Sequence, residues 1–325
     1  MNAAAQGRGA QAGSGQRSAT AVAPGKINAY FAVGPLREDG YHDVASLYLA
    51  LNLYERVTAT PAEAGEFVAE LSDASSIEVD PEAWPSGDTN LAVKAARLLA
   101  EHTGVSEGVR FVIEKHVPIA GGMGGGSADA AAALVACDSL WGTGLTREEL
   151  GRLAERLGAD VPFALRGGAA VGRGVGARLS PLLHAAPSGW VLRPASYGLS
   201  TPRVYGRLDE LRGEAEARSV PQPDGVPAAL VQGLRDGDEF AIARGLHNDL
   251  QAAAISLAPE LAQVFTAASD AGALGKLVSG SGPTVAVFAG HDPELARAIA
   301  LQLGDELEVR CIVASGPARG AHIVR

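Results

Sequence analysis

The sequence predicts a protein of mixed α and β structure that is divided into two domains. Segments rich in β-branched and aromatic residues, such as 56–60 and 109–114, alternate with segments of helical periodicity, such as 90–102 and 128–141. A length of 325 residues exceeds one minimal domain, and 47% hydrophobic residues provide for a substantial core. A segment of Pro, Ala and Ser at 181–189 separates a glycine-dense half from the rest.

These patterns divide the chain into three parts. Residues 1–20 consist mainly of Gly, Ala, Gln and Ser and lack the continuous apolar core of a secretory signal, so we expect a disordered tail. Residues 21–186 are expected to form the first domain, and residues 187–325 the second. The acidic, proline-containing segment 209–227 is expected to be a surface helix plus a loop rather than another boundary.

Charge and composition argue against several kinds of partner. A formal net charge of −10 disfavours nucleic acid, which proteins bind through a surplus of Lys and Arg. Two cysteines, Cys137 and Cys311, are too few for a disulfide framework and have no C-x-x-C spacing, which fits a reducing cytoplasm. No segment approaches the run of roughly 20 apolar residues that a membrane span needs. The sequence leaves the oligomeric state open.

The most informative segment is a glycine-rich loop between a predicted strand and a predicted helix. Pro118 and five glycines lead into Ser127 and a helix-forming run; the glycines are Gly121, Gly122, Gly124, Gly125 and Gly126. Without Cβ atoms the loop can approach a ligand closely, and the first N–H groups of the following helix are free to bind an anion. Ser127 can cap the helix or offer its hydroxyl to a phosphate or Mg²⁺. Asp129 is expected in the first turn, where negative charge is favourable.

The loop belongs to neither of the common phosphate-binding patterns. No Lys-Ser or Lys-Thr follows it, as in a Walker A sequence, and it lacks the G-x-G-x-x-G dinucleotide pattern. A loop that only turns the chain is the simpler alternative, since glycine-rich turns are common. The helix behind the loop favours a phosphate cradle over that alternative.

Read with its neighbours, the loop carries a family resemblance. P-I-A-G-G-M-G-G-G-S-A-D-A-A resembles the P-x-x-x-G-L-G-x-S-S phosphate motif of the GHMP small-molecule kinases. A-P-G-K-I-N at 23–28 resembles their first motif, and S-G-S-G-P at 279–283 their third. D-G-Y-H at 39–42, L-G-A-D-V-P-F at 157–163 and H-N-D-L at 247–250 are most similar to the branch that phosphorylates a cytidylyl methylerythritol substrate.

The resemblance implies a fold and a reaction. It implies a first domain like the second domain of ribosomal protein S5 and a ferredoxin-like second domain. It also implies transfer of the ATP γ-phosphate, with Mg²⁺, to the 2-hydroxyl of the methylerythritol moiety, in non-mevalonate isoprenoid precursor synthesis. The loop departs from the family at Met123, where Leu is usual, and at Ala128, where a second Ser is common. The first change should be mild, whereas the second leaves the metal ligands unassigned.

Asp160 and Lys26 are the predicted catalytic pair. Asp160 follows Gly158 and precedes Pro162, a position where a helix has ended, and phosphoryl transfer needs a base there for the alcohol proton. Taken alone, an aspartate is more often solvated or capping. The resemblance places Lys26 beside it, where an ammonium would keep the carboxylate ionised. Asn28, two residues on along an extended segment, should face the same side and bond substrate hydroxyls.

Besides Asn28, the resemblance assigns four residues to the acceptor substrate. Tyr41 and His42 are expected to contact the cytosine, because an aromatic face stacks on a base and polar groups read its edge. Tyr205 is expected to close the other side of the base, and Thr201 lies at the start of the same segment. Taken alone, His42 is more typical of a surface or satisfied histidine, and Tyr205 of a core residue.

The remaining predicted site residues concern ATP. The resemblance assigns to it Lys115, Pro118, Gly121, Gly122, Met123, Gly124, Gly125, Gly126 and Ser127. A second phosphate nest, or simply a tight turn, is expected at Ser279, Gly280, Ser281 and Gly282.

Three other functions compete with this prediction. A kinase of the same superfamily that acts on homoserine or mevalonate would have no use for a pocket fitted to an aromatic base. A nucleotide-binding module without catalysis would have no need of both Lys26 and Asp160. A dinucleotide-dependent oxidoreductase lacks its fingerprint.

Overall fold

A computed structural model of the chain describes residues 17–80, 84–85, 87–174, 176, 178–184, 187–217 and 220–324. Most of the predicted tail, residues 1–16, lies outside the described residues. The strands are β1 (Ala19–Leu36), β2 (His42–Ala62), β3 (Phe67–Leu71), β4 (Gly108–Glu114), β5 (Ala169–Gly174), β6 (Arg178–Leu182), β7 (Ser188–Arg193), β8 (His247–Asn248), β9 (Gly275–Val278), β10 (Val285–Phe288), β11 (Ile312–Gly316) and β12 (His322–Val324). The helices are α1 (Leu91–Thr103), α2 (Gly125–Trp141), α3 (Arg147–Leu157), α4 (Val161–Arg166), α5 (Thr201–Ala217), α6 (Ala228–Asp236), α7 (Glu239–Gly245), α8 (Gln251–Leu257), α9 (Leu261–Asp270) and α10 (Pro293–Leu307).

A long antiparallel hairpin of β1 and β2 is the base of the first sheet. The sheet order is β12-β1-β2-β4-β3, while β5 pairs with β2, β6 pairs with β5, and β8 runs parallel to β1. At 21 residues, β2 is long enough to pair with β4 through residues 56–62 and with β5 through residues 44–49. The register of β1 against β2 shifts at three irregularities, two of which flank Lys26 and Asn28. Such irregularities bend a strand and re-aim its side chains.

Helix α2 is the central helix of the first domain. Eleven of its 17 residues are buried, and most of these are alanines. It packs on α1 and on the β1–β2 hairpin. Small side chains on the buried side of a helix allow its backbone to lie close to the sheet, so the start of α2 comes near the strands.

The second sheet is antiparallel, in the order β11-β7-β10-β9. Counted along the chain, its strands therefore stand in the order fourth, first, third, second, with α9 and α10 packed against it. This is the predicted ferredoxin-like arrangement, and the prediction is confirmed.

The two sheets share an apolar cluster. Trp190 and Phe288, whose ring centroids are 5.0 Å apart, belong to the same buried cluster as Ile27 and Leu49 of the hairpin. Two short strands of the second half of the chain, β8 and β12, pair with β1. The division of the chain at 186/187 stays a prediction, and these two strands cross it.

Two predicted boundaries are corrected. Strand β1 begins at Ala19, so Ala19 and Thr20 belong to the sheet, where they pair with β2, and not to the tail. The helix expected within 209–227 begins earlier, at Thr201. The cause lies in Pro202, because proline fits the first turn of a helix, where its missing N–H removes no intrahelical bond.

No helix in the described part of the chain is both long and apolar enough to cross a membrane. The cytoplasmic location stays a prediction.

Asn248 connects the two sheets through hydrogen bonds. Its backbone belongs to β8, which pairs with β1 of the first sheet. Its buried side-chain amide donates to Val278 O and to Gly280 O, each at 2.7 Å, at the end of β9 in the second sheet. Its Oδ1 accepts from Leu250 N at 2.9 Å.

We expect Asn248→Ala to lower the free energy of unfolding by roughly 2–4 kcal/mol, because it leaves buried carbonyl and amide groups without partners. Urea unfolding followed by circular dichroism measures this loss. The matched control is Asn52→Ala, which removes one exposed hydrogen bond to Ser315 N and should cost less than about 1 kcal/mol. The control bond also joins the two sheets, from β2 to β11, but it is exposed, so equal costs for the two variants would contradict the importance of the buried bonds of Asn248.

Candidate active site

A cavity of about 430 Å³ opens between the glycine loop, the β1–β2 hairpin and the start of α5. It is lined by Lys26, Asn28, Phe31, Val44, Tyr48, Leu91, Pro118, Ala120, Gly121, Gly122, Met123, Gly124, Gly125, Gly126, Ser127, Asp160, Leu199, Thr201, Tyr205, Leu250, Gly280 and Ser281. Most of the predicted site residues therefore meet in one cavity. Those that do not line it are Tyr41, His42, Lys115, Ser279 and Gly282.

The glycine loop presents unpaired amides to the cavity. Helix α2 has Gly124 as its N-cap, in the left-handed region at φ +72°, and no side chain caps it. The N–H groups of residues 125–127 therefore lack acceptors within the helix, and all three residues line the cavity. Free amides at a helix start, together with the helix dipole, favour an anion.

Two details of the predicted loop are wrong. Ser127 is the third residue of α2, so it does not cap the helix, although it lines the cavity. Asp129 lies beyond the first turn and is buried, with Oδ2 2.6 Å from Lys115 Nζ. Helix α2 includes Gly125 and Gly126, so it begins two residues before Ser127. Asp129 is therefore the fifth residue of the helix and lies in its second turn.

Lys26 and Asp160, distant in sequence, lie together in the cavity. Asp160 is the N-cap residue of α4, but its side chain makes no capping hydrogen bond. Its Oδ2 lies 3.5 Å from Lys26 Nζ, and the two side chains are 28% and 9% exposed. Lys26 Nζ donates to Asn28 Oδ1 at 2.7 Å, so Lys26 and Asn28 face the same side, as the strand periodicity predicts. The carboxylate is thus left free toward the cavity beside a fixed ammonium.

Tyr48 is a site residue that the sequence analysis missed. It lies opposite Asn28 in the hairpin, its ring stacks on Phe163 at 5.0 Å, and Lys26 Nζ lies 5.8 Å from its centroid. Burial, with the nearby Asp160 charge and a hydrogen bond to Asp160, raises the pKa of Tyr48 well above its usual value. The hydroxyl therefore stays protonated beside the carboxylate of Asp160.

The Gly122 carbonyl joins three segments of the chain. Gly122 O accepts from Lys26 Nζ at 2.9 Å and from Ser279 Oγ at 3.1 Å. Ser279, buried, thus serves the loop rather than lining the cavity, and Gly282 N donates to Ser279 O to close the turn. Residues 279–282 form the turn between β9 and β10, and Gly280 and Ser281 also reach the cavity. This position is compatible both with a second phosphate nest and with a tight turn that has no further role.

The predicted acceptor residues lie around one end of the cavity. Tyr205 and Thr201, both on α5, line it, and the Thr201 and Ser281 hydroxyls are 3.0 Å apart. His42 is buried behind Tyr205, with ring centroids 5.3 Å apart, and its Nδ1 donates to Gly34 O. Tyr41 is 65% exposed at the hairpin tip, outside the cavity lining. The structure therefore brings His42, Thr201 and Tyr205 together and leaves Tyr41 apart.

Lys115 does not line the cavity, contrary to its assignment to ATP. Its ammonium lies 2.6 Å from Glu55 Oε1 and 2.6 Å from Asp129 Oδ2, and its side chain is 3% exposed. The two carboxylates hold it beneath the loop, because a buried ammonium is costly unless it is paired. Glu55 was not singled out by the sequence analysis.

The two residues at which the loop departs from the family motif, Met123 and Ala128, are both buried. Met123 is fully buried in the cluster that the two sheets share, so a flexible apolar side chain fits there. Ala128 is also fully buried, on the core side of α2. A hydroxyl at position 128 would therefore face the core and not the cavity.

Comparisons with known proteins match both halves of the chain to one family. A family model described as "GHMP kinases N terminal domain" matches residues 90–168, and one described as "GHMP kinases C terminal" matches residues 228–309. A 4-diphosphocytidyl-2-C-methyl-D-erythritol kinase of Arthrobacter sp. (strain FB24) is 51% identical over 308 residues, which cover 95% of this chain and 95% of that protein. The protein of the same name from Mycolicibacterium smegmatis is 44% identical over 94% of this chain and 92% of its own length.

Solved structures show the same fold. A crystal structure of a 4-(cytidine 5'-diphospho)-2C-methyl-D-erythritol kinase is 32% identical and has a TM-score of 0.72, covering 92% of this chain and 99% of that one. Homoserine kinase from Cytophaga hutchinsonii has a TM-score of 0.72 at 22% identity, over 96% of this chain and 98% of its own, which shows the shared fold alone.

The two-domain fold, the glycine loop and these matches define a GHMP kinase, a class of small-molecule kinases that use ATP. Within that class, the relatives identify the branch. The chain belongs to the 4-diphosphocytidyl-2-C-methyl-D-erythritol kinase family.

We expect Gly122→Ala to destabilise the protein by about 2 kcal/mol or more, because L-residues are strained in the left-handed region and the site is crowded. Gly122 has φ +76°, and a Cβ there would lie 2.0 Å from Ser279 O. Thermal unfolding of the variant measures the effect. In the control Gly151→Ala, on α3, the new Cβ has no neighbour within 4 Å, and stability should rise by about 0.5–1 kcal/mol. A variant at 122 as stable as wild type would rule out this packing.

Proposed function

We propose that this protein transfers the γ-phosphoryl group of ATP to the 2-hydroxyl of 4-diphosphocytidyl-2-C-methyl-D-erythritol, giving the 2-phosphate and ADP, as a step of isoprenoid precursor synthesis. The observation that carries the proposal is the Lys26–Asp160 pair, 3.5 Å apart in the same cavity as the free amides of α2. The proposed phosphate site and the proposed base for an alcohol therefore line the same cavity. The names of the relatives supply the identity of the acceptor.

The donor phosphates are proposed to bind at the start of α2. The amides of residues 125–127 and the hydroxyl of Ser127 supply hydrogen-bond donors without any reorganisation of side chains. Preorganised donors stabilise the charge on the transferred group at no cost in reorganisation. Lys26, across the loop, adds a positive charge on the acceptor side.

The base is proposed to be Asp160. The acceptor hydroxyl gives its proton to the carboxylate as its oxygen bonds to phosphorus, and the bond from phosphorus to the ADP oxygen breaks. Lys26 offsets negative charge on the attacking oxygen. The Tyr48 hydroxyl, which lies beside Asp160, is proposed to orient the carboxylate.

Mg²⁺ is proposed to arrive bound to the phosphates. Among the described residues no group of three His, Cys, Asp or Glu side chains could hold a metal ion by itself. Mg²⁺ commonly takes one or two protein ligands and substrate phosphates, and the Ser127 hydroxyl lines the cavity as a suitable oxygen ligand. When bound, the ion would neutralise charge on the phosphates.

The cytosine is proposed to lie at the α5 end of the cavity. The ring of Tyr205 lines that end with His42 packed behind it, so a base has an aromatic face to stack on. Exposed Tyr41, at the hairpin tip, is proposed to cover the other face. Asn28 is proposed to bond the hydroxyls of the sugar alcohol.

The proposed function is tested by ADP release from ATP and Mg²⁺ with different acceptors. We expect turnover with 4-diphosphocytidyl-2-C-methylerythritol and none above the acceptor-free rate with homoserine or mevalonate. Turnover only with one of the other alcohols would keep the kinase and reject the cytosine site. No turnover with any acceptor, combined with ATP binding, would favour a non-catalytic nucleotide-binding module.

We expect Asp160→Asn to lower kcat by about 10³-fold, in the range of a lost general base, while ATP binds within about twofold of wild type. Steady-state kinetics and calorimetry of ATP binding separate the two effects. The matched control is Asp238→Asn, since Asp238 is an N-cap aspartate whose oxygen accepts from Phe240 N and Ala241 N, a role that asparagine keeps. Turnover near wild type in Asp160→Asn would remove Asp160 as the base.

A further inference from the structure

Three buried ionisable residues form a cluster that the proposed reaction does not use. Lys115 follows β4, Glu55 lies on β2 and Asp129 lies on α2. Lys115 Nζ is 2.6 Å from an oxygen of each carboxylate, and the three side chains are 3%, 0% and 9% exposed. Buried ion pairs seldom stabilise a protein more than apolar residues of the same size would, so the cluster calls for another explanation.

The cluster lies directly behind the phosphate loop. A Cβ on Gly125, the first residue of α2, would lie 2.9 Å from Glu55 Oε1 and 3.5 Å from Lys115 Nζ. The cavity side of Gly125 faces the site proposed for phosphate. The cluster thus contacts the start of α2 on the side away from the cavity, and none of its members lines the cavity. The side toward the cavity carries the amides proposed to bind the anion.

The cluster also holds both ends of the loop. Glu55 Oε2 accepts from His116 N at 2.8 Å, and Lys115 N donates to Ser75 Oγ at 3.0 Å, which fixes the chain where the loop starts. Lys115 Nζ donates to Asp129 Oδ2, which fixes α2 just after the loop ends. Most residues of the loop are glycines and offer no side chain to hold it, so the positions of its amides depend in part on such anchors.

We propose that Glu55, Lys115 and Asp129 are positioning residues, which set the affinity for ATP by holding the glycine loop at both ends without touching the nucleotide. The inference rests on the proposed function only in taking the loop as the ATP site. It replaces the direct contact between Lys115 and ATP that the resemblance implied.

The charge of the cluster gives the proposal a second readout. Burial raises the pKa of Glu55 to about 8, against the opposing effect of Lys115, and burial also raises the pKa of Asp129. The pKa of Lys115 is raised as well, because its two carboxylates outweigh its burial. Glu55 is therefore expected to hold a proton near pH 7. Above pH 8 its ionisation adds one negative charge behind the amides proposed to receive phosphate.

The other charged groups nearby do not share this effect. Lys115 and Asp129 are the charged groups that face Glu55 from the end of β4 and from α2. The neighbouring Arg56 and Glu114 pair with each other at 3.4 Å, and their side chains point to the opposite face of the sheet. His116 meets Glu55 through its backbone N–H, while its ring lies near Glu114.

The experiment is calorimetric binding of a non-hydrolysable ATP analogue to the full chain with Mg²⁺, without acceptor, at pH 7 and pH 9. For Asp129→Asn at pH 7 we expect about fivefold weaker binding, because a neutral hydrogen bond replaces a charged one, with KM for the acceptor within about twofold.

Wild type should bind the analogue about threefold more weakly at pH 9 than at pH 7, because the added negative charge opposes phosphate. Glu55→Gln should lose this pH dependence. The control Glu148→Gln, an exposed carboxylate on α3, should behave as wild type.

The outcomes separate the possibilities. Lys115→Met is the most direct variant, but it leaves two buried carboxylates without their cation, so the two shape-preserving variants carry the test. Unchanged affinity and unchanged pH dependence in both Asp129→Asn and Glu55→Gln would overturn the proposal. Weak binding only in Lys115→Met would also overturn it, in favour of direct contact. A wild-type protein that does not bind the analogue would instead refute the proposed function.

Discussion

The geometry of the site depends on one carbonyl group, Gly122 O. It accepts from Lys26 Nζ and from Ser279 Oγ, so it joins the first strand, the glycine loop and the turn between β9 and β10. These segments are far apart in the chain and belong to both sheets. A side chain at position 122 would occupy the space of Ser279 O, which makes glycine a requirement of the contact. The ammonium beside Asp160 is thus fixed by the loop that is proposed to bind the phosphates.

Two groups of charges lie on opposite sides of this loop, and they differ in what they can do. On the cavity side, Lys26 and Asp160 are separated by 3.5 Å, and Asp160 is partly exposed toward the cavity. Behind the loop, Lys115 is enclosed at 2.6 Å by Glu55 and Asp129, with no access to the cavity. The first pair suits chemistry and the second suits rigidity. Catalysis by positioning needs both, because phosphoryl transfer offers the protein little covalent chemistry.

The parts of this site that sequence could predict are those set by local chemistry. The glycine loop before α2 and the turn that carries Asp160 follow from residue types that restrict the backbone. Tyr48 could not be found in this way. Irregularities along β1 shift its pairing with β2, so that Lys26 lies opposite Ala50 and Asn28 lies opposite Tyr48. Without these shifts, the register that pairs Leu36 with His42 would give Lys26 and Asn28 other partners. The position of Lys115 behind the loop, away from the cavity, could not be predicted for a related reason. Glu55 and Asp129 are distant from Lys115 in sequence, and only the fold brings them to its ammonium.

Helix α2 has many buried alanines because its first residues lie close to the β1–β2 hairpin. Lys26 N donates to Met123 O at 2.9 Å, so the loop is bonded to β1 immediately before the helix starts. Larger residues on the buried face would lift the helix from the hairpin, because side-chain size sets the distance at which helices pack. The first amides of α2 would then move away from Lys26 and Asp160. The buried alanines of α2 therefore contribute to function through distance, although none of them touches the cavity.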